Sequence, residues 1–241
     1  MMAMVASAEI LANAGWLGLC YIYIIGIILL TGSLSSRLPL SVSRKFLHIM
    51  IGNLVFIIPF FSLNSFPLNF PFFVAAPFVA LTLLFSPLAP ITLSDRVSRL
   101  GDVTGGGHKY GLVFYAISYT VLAFLFSSQP YVIAVGILPM AFGDAAASLV
   151  GQKLGRHRYG RFGKKSVEGS VAMFCVSLLS LSLSIFFFSI FHALPVVTYV
   201  FAAFAASIVA AVCEAFTPKG FDNLTVPLVS VLVFLVLAGG L

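Results

Sequence analysis

The densest group of reactive side chains in this 241-residue chain runs from Asp144 to Gly169. Asp144 is followed by Ala147, Gly151 and Gly155, then by the basic stretch 156–163, then by Lys164-Lys165-Ser166 and Glu168-Gly169. Small residues at 143, 145–148, 151 and 155 allow close backbone approach. An aspartate inside or at the end of an apolar helix is costly unless it is paired or binds a cation. Lys164, Lys165 and Ser166 directly precede a long apolar run. The N–H groups and dipole at the start of a helix there suit an anion, and two ammonium groups and a hydroxyl add phosphate contacts. A basic loop snorkelling to the membrane surface, with small-residue helix packing, is the alternative reading. A Walker A loop is excluded, because neither Ser nor Thr follows Gly163-Lys164 and Arg158 stands where its earlier glycine belongs.

Three smaller groups accompany it. Glu214 and Asp222-Asn223-Leu224 flank the short turn 217–220, and carboxylates at a membrane edge facing Asp144 could share a divalent cation. Asp222 or Asn223 would equally serve as an N-cap. Arg44, Lys45 and His48 fall on one helix face by their i,i+3 and i,i+4 spacing. His48 stands about one turn inside an apolar span, where it serves either chemistry or one interhelical hydrogen bond. Gly105-Gly106-Gly107-His108-Lys109-Tyr110-Gly111 reads as a loop that touches a nucleotide or as a plain connector. Cys20, Cys175 and Cys213 fall in apolar runs without metal-ligand spacing.

The elements that must carry these groups follow from composition. The chain is 61% hydrophobic and only 8% charged. Soluble domains carry about 25% charged residues, so a soluble enzyme and a disordered chain are excluded. The apolar runs do not alternate as barrel strands would, which leaves an all-α polytopic membrane bundle. No Asp, Glu, Lys or Arg occurs in the 49 residues between Lys45 and Asp95. Similar gaps predict about eight spans, within a range of seven to nine: 11–34, 45–61, 70–91, 110–127, 131–150, 167–191, 196–216 and 224–241. Asn64-Ser65-Phe66-Pro67, Ser127-Ser128-Gln129-Pro130 and His192-Ala193-Leu194-Pro195 supply the turns within the longest runs.

With eight spans, all 13 Lys and Arg residues fall on one side. The positive-inside rule makes that side cytoplasmic and both termini extracytoplasmic. Topology alone explains the net charge of +6, and no nucleic-acid partner is expected. It does not explain why Asp95, Asp102, Asp144, Glu168, Glu214 and Asp222 gather on the same side. Both signs at one membrane surface point to a metal–phosphate ligand as well as lipid headgroups. The whole chain, 1–241, reads as a single transmembrane domain, with loops 92–109 and 151–166 contributing to a nucleotide site.

The segment from Asp144 through Gly169 resembles the CTP-binding signature of dolichol kinases and their shorter relatives, the polyprenol, phytol and farnesol kinases. Arg44-Lys45-Phe46-Leu47-His48 resembles the family's N-terminal element. His108-Lys109-Tyr110-Gly111 with Tyr115 resembles its Tyr-Gly segment, and Glu214 with Asp222-Asn223-Leu224 its C-terminal element. The four keep the family's order over residues 44 to about 227, with Ser166 where dolichol kinases often carry Thr. The resemblance implies Mg²⁺-dependent transfer of the γ-phosphoryl group of CTP to a membrane isoprenoid alcohol: dolichol, polyprenol, phytol or geranylgeraniol. On that basis Asp144 binds Mg²⁺ with Glu168 or Asp222. Lys164, Lys165 and Ser166 hold phosphates beside Gly151, Gly155, Glu168 and Gly169. Arg44, Lys45 and Asn223 contact substrate or phosphate, and His48 and Asp222 are both candidate bases. The setting is the cell membrane of a prokaryote, or the endoplasmic reticulum or plastid membrane of a eukaryote. A CTP-dependent cytidylyltransferase making a CDP-lipid is the nearest rival, and a small-solute transporter is a rival of another class. The apolar middle of most spans speaks against the transporter.

Overall fold

A computed structural model describes residues 2–84, 110–159, 165–218 and 220–239. The expected loop 92–109, with Asp95, Asp102, His108 and Lys109, lies outside them, as do Lys164 and Lys219. The described chain is a bundle of apolar helices. Five are long and apolar enough to cross a membrane: Ser7–Leu34, Ser41–Phe60, Pro130–Lys153, Val167–Phe188 and Val196–Phe216. Three shorter apolar helices, Phe70–Leu83, Gly111–Leu125 and Asp222–Ala238, complete the eight segments that the charge gaps predict.

In chain order the elements are α1 (Met2–Leu34), α2 (Leu40–Gly52), the 3₁₀ segment Asn53–Phe60, and a minimal hairpin of β1 (Asn64–Ser65) and β2 (Leu68–Asn69). Next come α3 (Phe70–Leu84), α4 (Gly111–Leu125) and α5 (Pro130–Leu138). A π segment, Pro139–Gly143, leads into α6 (Asp144–Lys153). A second hairpin, β3 (Arg158–Tyr159) and β4 (Lys165–Ser166), precedes α7 (Val167–Phe188), α8 (Val196–Phe216) and α9 (Asp222–Ala238).

Three local departures from the expected spans have physical causes. The second span is not one α-helix, because Pro59 has no N–H to give and crowds the preceding turn, and 3₁₀ bonding takes over from Asn53. The fifth span is likewise broken at Pro139, where one π turn absorbs the misfit before Asp144. The loop expected at 151–166 begins as helix and returns as a hairpin in which Arg158 faces Ser166 and Tyr159 faces Lys165. At the far end of the chain α9 stops at Gly239, which caps it in the left-handed conformation at φ 73°.

The core is built around α5. Val132, Ile133, Val135, Ile137 and Leu138 are all fully buried. A helix that is apolar all round belongs inside a bundle, and α5 packs against α2, α4, α7, α9 and the 3₁₀ segment. The outer helices present Leu11, Ile22 and Leu29 of α1 and Val197, Phe201 and Val236 of α8 and α9 outward, as lipid-facing surfaces do.

Successive spans alternate in direction, with α5 and α6 forming one span. The starts of α2, α4, α7 and α9 and the ends of α6 and α8 therefore share one end of the bundle. The opposite end is tied by neutral groups. The Asn13 amide donates to Ser62 Oγ at 2.8 Å, and Asn69 Nδ2 donates to Ser127 Oγ at 3.0 Å. Aromatic rings fill the space there, with Trp16 on Phe60 and Phe56 on Phe187, each at 5.1 Å between centroids.

Candidate functional site

The charged end assembles residues that are far apart in sequence. Pro39 starts α2, so Lys45 and His48 turn one face into the bundle and are buried. The π turn delivers Asp144 to the same place, where its carboxylate pairs with the Lys45 ammonium. Hairpin β3–β4 delivers Lys165, which pairs with Glu214 near the end of α8. Asp222 opens α9, only 6% exposed, and its Oδ1 accepts from the backbone N–H of Gly220 at 3.1 Å and of Asn223 at 3.0 Å.

These groups form one electrostatic unit. Asp144 feels Lys45, Lys165 and His48. Asp222 feels Asp144, Lys165, Lys45 and Glu214, and Arg44 feels Asp144 and Asp222. Three cations (Arg44, Lys45, Lys165) thus balance three carboxylates (Asp144, Glu214, Asp222). Lys165 precedes the apolar span of α7. Burial pushes its ammonium pKa down, but Glu214, Asp144 and Asp222 more than offset this and hold it above the usual lysine value. Lys165 therefore keeps its charge throughout the neutral range.

Buried ion pairs are poor stabilisers, because desolvation consumes most of what the Coulomb attraction returns. Their concentration at one end of an otherwise apolar bundle points to ligand chemistry. A ligand carrying both signs can exchange partners with them. Phosphate oxygens take the ammonium groups, and a divalent cation takes the carboxylates.

The donor set fits a hard cation such as Mg²⁺. It consists of carboxylate oxygens, and among the described residues no three His, Cys, Asp or Glu side chains stand close enough to form a protein-only cage. Mg²⁺ is commonly held by one or two carboxylates together with substrate phosphates, a role open to Asp144 and Asp222. The alternative to Asp222, Glu168, does not join them. Glu168 turns to the hairpin, accepting from His157 Nδ1 at 2.8 Å and from the His157 backbone N–H at 3.3 Å. The carboxylate at the start of α7 thereby clamps β3 and β4, which present Lys165.

Several other expected site residues have partners within the protein. The Ser166 hydroxyl is buried and caps α7 by accepting from Gly169 N–H at 3.1 Å. The glycines enclose that hydroxyl. A Cβ on Gly155 would lie 2.7 Å from Ser166 Oγ, and one on Gly151 3.1 Å from it. Gly169 meets the opposite helix, since its Cβ would lie 2.9 Å from the carbonyl oxygen of Ala147. Gly169→Ala is therefore expected to force α6 and α7 apart and destabilise the protein by roughly 1–3 kcal/mol, measured as a lower unfolding temperature in detergent. Asn223 also serves the frame: its Nδ2 donates to the Gly111 carbonyl at 2.9 Å, and its own carbonyl accepts from Ser118 Oγ at 2.7 Å.

The structure gives Tyr115, which the sequence offers only as part of the Tyr-Gly segment, a place at the site. Its ring packs on His48 at 4.8 Å between centroids, and its hydroxyl donates to the His48 carbonyl at 3.1 Å. Sixty-seven residues separate the two, and the Tyr-Gly resemblance does not say which residue Tyr115 meets.

The chain is also similar in sequence to known proteins. A protein from Synechocystis sp. named phytol kinase is 39% identical over 223 residues, which is 90% of this chain and 88% of that protein. The chain belongs to the phytol kinase family. A probable phytol kinase 2, chloroplastic, from Oryza sativa subsp. japonica is 31% identical, and a probable phytol kinase 3, chloroplastic, from Glycine max is 29% identical. Each match covers 79% of this chain but only 64% and 61% of those plant relatives. No family model and no solved structure matches the chain.

Proposed function

We propose that this protein is a kinase that transfers the terminal phosphoryl group of CTP to the hydroxyl of a membrane isoprenoid alcohol, yielding the lipid monophosphate and CDP. The observation that carries this is the balanced cluster of Arg44, Lys45, Lys165, Asp144, Glu214 and Asp222 at one end of an apolar bundle, in a chain of the phytol kinase family. The family's name favours phytol, with geranylgeraniol as a close analogue, over dolichol and longer polyprenols. The cluster's end faces the cytoplasm, as the one-sided distribution of Lys and Arg requires.

Phosphoryl transfer asks mainly for positioning and neutralisation of charge. Lys45, Lys165 and Arg44 hold the phosphates of CTP, and Lys164 in the adjoining segment adds a further cation. Asp144 and Asp222 hold Mg²⁺, which would neutralise charge developing on the transferred phosphoryl group. His48 lies four residues beyond Arg44 on α2, about 6 Å deeper along the helix. It is thus on the side from which an alcohol anchored in the bilayer arrives. His48 accepts the proton of that hydroxyl, and Asp222 is left to the metal. The prenyl tail stays in lipid and only the hydroxyl reaches the charged end.

The deciding assay gives purified protein CTP labelled at the γ- or the α-phosphate, Mg²⁺, and phytol, geranylgeraniol, a polyprenol or phosphatidic acid. γ-Label in an alcohol's monophosphate is the expected result. α-Label in the lipid would instead establish a cytidylyltransferase, and parallel incubations with ATP and UTP read nucleotide choice.

A further inference from the structure

We infer that Tyr115 is a positioning residue that sets His48, and with it the α2 face carrying Lys45, against Asp144. The inference rests on the reading of His48 as the base. Two contacts run from the same side chain: the ring against the imidazole, and the hydroxyl to the His48 carbonyl. That carbonyl lies in the last turn of α2, where the helix gives way to 3₁₀ bonding. Tyr23 of α1 does the same one turn-edge away, its hydroxyl donating to the Met50 carbonyl at 2.9 Å.

The joint has a second wall. Gly52 follows His48 by four residues on the same face. A Cβ on Gly52 would lie 2.6 Å from Ala141 Cβ and 3.4 Å from the Tyr115 hydroxyl oxygen. Ala141 belongs to the π segment, three residues before Asp144. Tyr115 therefore occupies the contact between α2 and the turn that presents Asp144. Lys45 lies seven residues before Gly52, two turns along the same helix face. Any slip at the joint displaces both the imidazole and the Lys45–Asp144 pair. Tyr115 itself is 3% exposed and lies about one turn inside the start of its helix at Gly111, so it serves this joint rather than the surface.

The test starts from wild-type turnover with CTP and phytol. If there is none, the functional reading fails and the joint is not at issue. With turnover established, Tyr115→Phe keeps the ring and removes the hydroxyl bond. We expect kcat to fall about tenfold, the equivalent of one hydrogen bond, with the KM for CTP within about twofold of wild type. In a His48→Ala background the same substitution should cost little further, because both act through one group. Gly52→Ala, which presses on the other wall, should give the same split and carries the comparison if Tyr115→Phe is not recovered folded. A wild-type kcat in both variants would overturn the inference. So would an equal loss in the presence and absence of His48, which would make Tyr115 independent of the imidazole.

Discussion

Replacing Asp144 with asparagine should lower kcat by about 10³-fold, the scale seen when a preorganised charge is removed from a reacting centre. Asp144 is the carboxylate that meets Lys45, Lys165 and His48 together. It is also the residue that the π turn exists to present. Asparagine keeps the size of the side chain and an acceptor for Lys45 but removes the charge a divalent cation needs. Alanine is the harsher change. It leaves Lys45, 7% exposed, without its partner, and loss of one member of a buried pair costs about 3–5 kcal/mol. Unfolding temperature measured beside turnover separates the two effects. Wild-type-like turnover in Asp144→Asn would remove this residue from the metal site.

The second large effect belongs to Lys165. Lys165→Met should raise the KM for CTP about 10- to 100-fold, as expected for a charge-assisted phosphate contact worth about 1.5–3 kcal/mol, and leave the KM for phytol unchanged. It should also destabilise the protein, because Glu214, 3% exposed, is left as an unpaired charge. Glu214→Gln added to Lys165→Met should restore the unfolding temperature without restoring the KM. The double variant therefore distinguishes a cation that merely neutralises Glu214 from one that binds substrate. A change confined to the KM for phytol would show that Lys165 does not hold the nucleotide.

Much of this was legible without coordinates. Long gaps between charges locate the eight helical segments of the described residues, because a bilayer admits only backbone that satisfies its own hydrogen bonds. The same gaps force the ionisable residues to the ends of the helices, and the even number of segments puts them at one end. The spacing of Asp144, Lys165 and Asp222 thus announces a site, and the family signature names its chemistry. The sequence signal was weakest where one residue type serves two purposes. Ser166 and Asn223 look like phosphate ligands, yet a cap and an interhelical clip ask for the same polar atoms. Gly151, Gly155 and Gly169 look like a nucleotide cradle, yet close helix packing also demands a missing Cβ.

The amino-acid sequence alone thus determined the class of the molecule, the places of the apolar segments among the described residues and the end at which charge collects. These depend on hydropathy and length, which are local properties. Only the tertiary structure decided who meets whom: Lys45 with Asp144 across 99 residues, Lys165 with Glu214 across 49, and Glu168 with His157 instead of with the other carboxylates. Partner choice among like-charged residues follows from helix rotation, from the π turn before Asp144 and from the packing of Gly52 on Ala141. None of these leaves a periodic trace in the chain.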